Sequence, residues 1–134
     1  MRPFQLGSDM RTMRGTFYPT GWMVLLFPGE QQARDAARQL ARAGVGEDRM
    51  MLMTPQDFQR EIAGSAGDDG LLPSAGTEGD TVRKMAGLVA QGHHGLFVHA
   101  PDQEHSDRVM EILGDTQPSF GQKYRKLIIE DIVE

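Results

Sequence analysis

"WMVLLFPGE", residues 22–30, is six apolar residues stopped by Pro28 and Gly29 and followed by an acid. A run this short, with that punctuation, predicts a strand rather than a buried helix. Successive strand residues face opposite ways, so Trp22, Val24 and Leu26 share one face and Met23, Leu25 and Phe27 the other. Both faces are apolar, which places the strand at the centre of a sheet covered on both sides. A helix is expected next. In "GEQQARDAARQLARAG" Ala33, Ala36, Ala37, Leu40 and Ala41 recur at helical spacing, Glu30 suits the positive N-terminal end, and Gly44 supplies a C-terminal cap.

"RMMLMT", residues 49–54, predicts a second strand. "TPQDFQREIAG" predicts a short helix with Thr54 as N-cap, Pro55 at the first helical position, Asp57 reaching back, and Phe58 and Ile62 as anchors. Residues 64–79, "GSAGDDGLLPSAGTEG", read as a flexible Gly-rich loop, and no Gly-Lys-Ser/Thr follows to make it a phosphate loop. Helical period returns in "DTVRKMAGLVAQG" through Val82, Met85, Leu88 and Val89. "GLFVHA" is a third strand over Leu96–Ala100. "PDQEHSDRVMEILG" is a helix capped by Asp102, with Val109, Ile112 and Leu113 inward and Gly114 at its end. "KYRKLIIEDIV" is expected as a fourth strand, charged enough for a sheet edge. Residues 1–20 have no period and read as a flexible N-terminal arm, which leaves 21–134 as a single α+β domain.

This order contains two strand–helix–strand units with an extra helix and loop between them. It predicts a ferredoxin-like sandwich with the strands of Trp22 and Phe97 central. The alternative is a small doubly wound α/β sheet. Helices of a ferredoxin-like sandwich cover one face only, so the other apolar face needs the middle helices, the arm or a second subunit. A homo-oligomer is therefore expected.

Composition narrows the function classes. At 134 residues the chain has the length of one domain, and the absence of cysteine excludes disulfides and thiolate chemistry. A net charge of −5 argues against nucleic acid as a partner. No run approaches the ~18 apolar residues of a membrane span. The opening residues lack the apolar block of a signal peptide, so cytoplasm is the expected setting.

All four histidines fall within "GHHGLFVHAPDQEHSD", residues 92–107. His93 and His94 are expected in a polar turn, His99 on the strand face shared with Phe97, and His105 in the first turn of the next helix. At ~3.3 Å per residue His94 and His99 stand roughly 16 Å apart, too far to share one ion. No metal or cofactor is expected. No spacing joins a nucleophile to a base, so no catalytic residue is assigned. Trp22, Phe97 and His99 are the candidate ligand-binding residues, since an imidazole beside an aromatic ring can recognise a ligand or report pH.

"MVLLFPGEQQARDAARQLARAGV" resembles the opening of the heat-induced, YflT-like general stress protein domain, a strand and a helix ending in Leu-x-x-x-Gly. "GHHGLFVHAPDQEHSDRVMEIL" is similar to that family's second half, and "YRKLIIEDI" to its closing strand. The resemblance covers about residues 22–54 and 81–133. It implies a small bacterial stress-associated module without established catalytic residues. The expected function is regulatory and non-enzymatic, through self-association and binding of a partner or small ligand. Two alternatives stand beside it. One is a small ferredoxin-like enzyme with a cleft near His99. The other is an RNA-binding module in which Phe97 serves as a stacking platform, although His94 and His99 replace the residues an RRM would carry there and the acidic balance opposes it.

Overall fold

The computed structural model describes residues 2–4, 21–63, 77–114, 118–125 and 128–133. Strands β1 (Arg2–Pro3), β2 (Trp22–Phe27), β3 (Met50–Met53), β4 (His94–His99), β5 (Phe120–Arg125) and β6 (Ile128–Val133) form one sheet in the order β1-β3-β4-β2-β5-β6. The helices are α1 (Glu30–Arg42), α2 (Pro55–Asp57, running on in π-helical form over Phe58–Ala63), α3 (Thr77–Ala90) and α4 (Gln103–Leu113). The chain is thus a mixed α+β structure. The doubly wound parallel alternative is corrected. β4 lies between β2 and β3 and pairs antiparallel with both, β2–β5 and β5–β6 are antiparallel too, and only the short β1–β3 ladder is parallel.

Alternation along β2 builds two cores. Met23, Leu25 and Phe27 pack with Ala33, Ala36, Ala37 and Leu40 of α1 and Val109 and Leu113 of α4. Trp22, Val24 and Leu26 pack with Phe58, Ile62, Met85 and Val89. Every residue of β2 is buried, as expected of a central strand. The second face is covered by the chain's own α2 and α3. That coverage takes away the physical reason for expecting a second subunit there.

Two further expectations change. The segment expected as an arm contributes Phe4, which is 4% exposed, donates its N–H to the Leu52 carbonyl at 2.9 Å and lies 4.8 Å from the Phe97 ring. Apart from β1 and Phe4, that arm lies outside the described residues. So does most of the 64–79 loop, whose last three residues already belong to α3. "KYRKLIIEDIV" is not one strand: the chain reverses after Arg125, β5 pairs with β2, and β6 returns along β5 to form the edge. An eleven-residue run is twice the usual strand length, and a reversal lets both halves pair.

The α2 start follows its sequence signature. The Asp57 N–H donates to Thr54 Oγ1 at 3.1 Å, and the Thr54 N–H donates to Asp57 Oδ2 at 2.9 Å. Thr54→Ala is expected to cost about 1 kcal/mol, the usual value of such a cap, and Thr54→Ser to keep most of it. Urea unfolding of the two variants checks this, and equal losses would show that the hydroxyl is not the cause.

Candidate functional site

β4 carries chemistry at both ends. At its C-terminal end His99 stands opposite Trp22, with ring centroids 5.1 Å apart and the rings at 61°. Trp22 is buried and His99 half-buried. Arg49, from the 3-10 turn Glu47–Arg49 that precedes β3, donates from Nη2 to the His99 carbonyl at 2.6 Å. Gly21, at φ +85°, accepts the Ala100 N–H at 2.8 Å; a Cβ on it would stand 3.7 Å from His99 Nε2. The strand is therefore held firmly at the end that carries the half-buried His99.

Just beyond, Asp102 caps α4. Its Oδ1 accepts the His105 N–H at 2.9 Å and lies 2.6 Å from the His105 ring Nδ1. The backbone hydrogen bond from His105, then the one from its ring, hold the Asp102 carboxyl below the usual range, with the charges of His105 and Arg49 adding to this and slight desolvation opposing it. A lowered carboxyl stabilises the fold fully above its unfolded value of about 3.9, and the contribution is lost as pH falls through the lower folded value. Asp102→Asn retains a capping side chain but removes the charge. Its stability deficit should be present at about pH 6 and shrink below about pH 4. A deficit that does not change on acidification would refute the charge account.

Of the three expected ligand contacts, Trp22 and His99 touch each other, whereas Phe97 is 0% exposed beneath Phe4. A base can stack on Phe97 only if Phe4 leaves. Among the described residues no three His, Asp or Glu side chains gather to hold a metal ion.

The N-terminal end of β4 differs from the expected polar turn. His93 is only 8% exposed; its N–H donates to the Leu88 carbonyl at 3.2 Å and its Nε2 lies 3.1 Å from Ser119 Oγ. Nδ1 of the same ring is buried and has no hydrogen-bond partner among the described residues. Ser119 is exposed and donates its N–H to the Leu26 carbonyl at 2.7 Å, so this pair ties α3, β4, β2 and the start of β5 together. Sequence reading misses the pair because 26 positions separate its members and neither sits in a motif. His94 donates from Nδ1 to the Gly92 carbonyl at 3.0 Å, and its Nε2 lies 3.8 Å from Glu30 Oε1. Glu30 is held below the usual carboxylate range chiefly by the Arg34 hydrogen bond at 2.6 Å, then by the charge of Arg34, with His94 a smaller influence.

The sheet's two edges are unlike. One is closed by β1, two residues long and ending in Pro3, which has no N–H to offer. The other, among the described strands, is β6, six residues long and reading "IIEDIV", which pairs with β5 and shifts register between Asp131, opposite Gln122, and Val133, opposite Gly121. A surface hollow of about 310 Å³ lies elsewhere, lined by Arg34, Ala37, Arg38, Ala41, Glu47 and Met50. Its two arginines are engaged by Glu30 and Asp35 of their own helix at 2.6 and 3.2 Å. Among the described residues no helix is long and apolar enough to cross a membrane. No family model matches the chain, and neither a curated protein nor a solved structure matches it.

Proposed function

We propose that this chain is a non-enzymatic regulatory module of ferredoxin-like arrangement that acts by association, taking up an extended segment of a partner as an added strand along β6. The observation that carries the reading is the asymmetry of the edges among the described residues: a blunted two-residue strand on one side and, on the other, the longer β6, regular over Ile128–Asp131 before its register shifts. An open edge is a row of donors and acceptors already spaced for another strand, and addition there is a general mode of peptide recognition. The ferredoxin-like assignment draws on the order β3-β4-β2-β5, which sets the two strand–helix–strand units with their first and third strands central. The resemblance to the YflT-like domain adds a bacterial stress-associated setting for such a module.

Selection of heptapeptides from a random displayed library on the full chain, followed by hydrogen exchange of the complexes, tests the reading. Bound peptides should slow exchange at alternate amides over Ile128–Asp131, the regular part of β6. Protection confined to the region of Trp22 and His99 would instead make that end the binding site.

A second reading, a small enzyme, finds its support at His93 rather than at His99. The exposed Ser119 hydroxyl lies 3.1 Å from a buried imidazole, the geometry of a serine whose proton a histidine takes. Among the described residues no carboxylate meets Nδ1 to orient the ring and stabilise its charged form as in a triad, so binding stands first. A fluorophosphonate that adds its mass to the protein but not to Ser119→Ala would reverse the order.

A further inference from the structure

We infer that the groove filled by Arg2–Phe4, beside β3, is a docking site for an extended polypeptide segment that carries an aromatic residue. The chain's own first strand is then a resident occupant, which such a segment displaces. This goes beyond docking at β6, because it concerns the opposite edge of the sheet.

The resident shows what the groove accepts. β1 runs parallel to β3, with Arg2 opposite Met51 and Pro3 opposite Leu52. The Phe4 N–H donates to the Leu52 carbonyl at 2.9 Å. Backbone groups of successive strand residues turn to alternate sides, so Phe4 faces β3 while Pro3, with no N–H, faces away from it. The Phe4 ring is 4% exposed and lies 4.8 Å from the ring of Phe97, tilted by 52°. Backbone pairing thus holds any extended segment, and the place of the ring selects an aromatic one.

Two features make the resident replaceable. The core cluster that contains Phe4 and Phe97 also contains Met51, Met53 and Met85. Methionine is unbranched and repacks around different neighbours, which is why it recurs at surfaces that bind several partners. The β1 ladder, moreover, takes in Met51 and Leu52, the middle two of the four residues of β3. A segment that pairs along all four adds hydrogen bonds to those of the β1 ladder. β3 is held on its other side by β4 over Met50–Met53, so the exchange leaves the rest of the sheet in place. Ordering a short outer strand costs entropy that offsets much of what one ring and a short ladder return, so this strand opens apart from the global fold.

Two measurements on the full chain test this. In the unmodified protein the Phe4 amide should exchange with solvent faster than the amides of β2, and with less dependence on urea. Exchange of Phe4 at the rate of β2 would make it a fixed part of the core and overturn the inference. The second measurement adds a labelled octapeptide, Thr-Val-Arg-Pro-Phe-Thr-Val-Thr, or its counterpart with alanine for phenylalanine, to the unmodified chain and to Phe4→Ala. For a strand open about 1–10% of the time, the phenylalanine peptide should bind Phe4→Ala roughly 10- to 100-fold more tightly than the unmodified chain. The alanine peptide should bind Phe4→Ala roughly 10-fold more weakly than the phenylalanine peptide, or worse. Bound peptide should slow exchange within Met50–Met53. Pro3→Gly keeps the ring and loosens the strand, so it should also tighten binding, and it supplies the same comparison should Phe4→Ala not fold. Equal affinity for the variant and the unmodified chain, or no binding to a variant whose fold Trp22 fluorescence confirms, overturns the site. Protection of β6 in place of β3 also overturns it, and leaves docking at β6 standing.

Discussion

Phe97→Ala should destabilise the domain by about 3–5 kcal/mol, the range for deleting a buried aromatic ring. The ring is 0% exposed in the interior of β4, with Val24 and Met51 as its cross-strand neighbours and Phe4 at 4.8 Å, tilted by 52°. Those four residues belong to the core between the sheet and the middle helices, so the cavity left behind is walled by residues fixed on β2 and β3 and by Phe4. Small domains are stable by only about 5–15 kcal/mol, and the variant would lose a large part of that. Trp22 is the one tryptophan of the chain and lies in the same core, which makes its fluorescence a direct report of urea unfolding. A change below about 1 kcal/mol would mean that Phe97 is not a packing residue, and a ligand platform at that position would regain its standing.

Local signals in this sequence translate directly into structure. The closure of "WMVLLF" by Pro28 and Gly29 marks β2, the alanine stripe marks α1, and Thr54, Pro55 and Asp57 together mark the start of α2. Each of these is decided within a few residues by chain geometry and hydrogen bonding. The features that escape depend on partners distant in sequence. His93 reads as a polar turn residue because its burial depends on Ser119, brought up by β5. Phe97 reads as a candidate platform because its cover, Phe4, comes from a segment with no periodicity. The reversal between β5 and β6 carries no Gly, Asn or Pro at Lys126 and Leu127 to announce it. For β2 the alternation required cover on both faces, but it could not choose between the chain's own helices and another molecule.

Gly95→Val should cost about 1–3 kcal/mol or more by overpacking, although valine favours strands. Gly95 lies in β4 between Leu26 and Met53 of the flanking strands. A Cβ added there would stand 2.9 Å from Met53 Cε, 3.2 Å from Leu26 Cδ2 and 3.3 Å from Met53 Cβ. The methionine terminus can swing away at little cost, but Met53 Cβ is fixed to the backbone of β3, and Leu26 is fully buried. The two γ-methyls of valine extend the clash, so β4 must move away from one neighbour at the end that carries His93 and His94. Shortening Met53 to its Cβ should restore part of the loss, because Met53→Ala opens space for the two γ-methyls of the valine. The pair Gly95→Val/Met53→Ala is therefore expected to be more stable than the sum of the separate losses, by about 0.5–3 kcal/mol of coupling. Urea unfolding of the two single variants and the double variant closes that cycle. Losses that simply add would place the strain elsewhere, with Leu26 the next residue to change. Weaker contact between His93 and Ser119 in Gly95→Val, seen as faster exchange of the Ser119 amide, would show that close packing at Gly95 positions that end of the sheet.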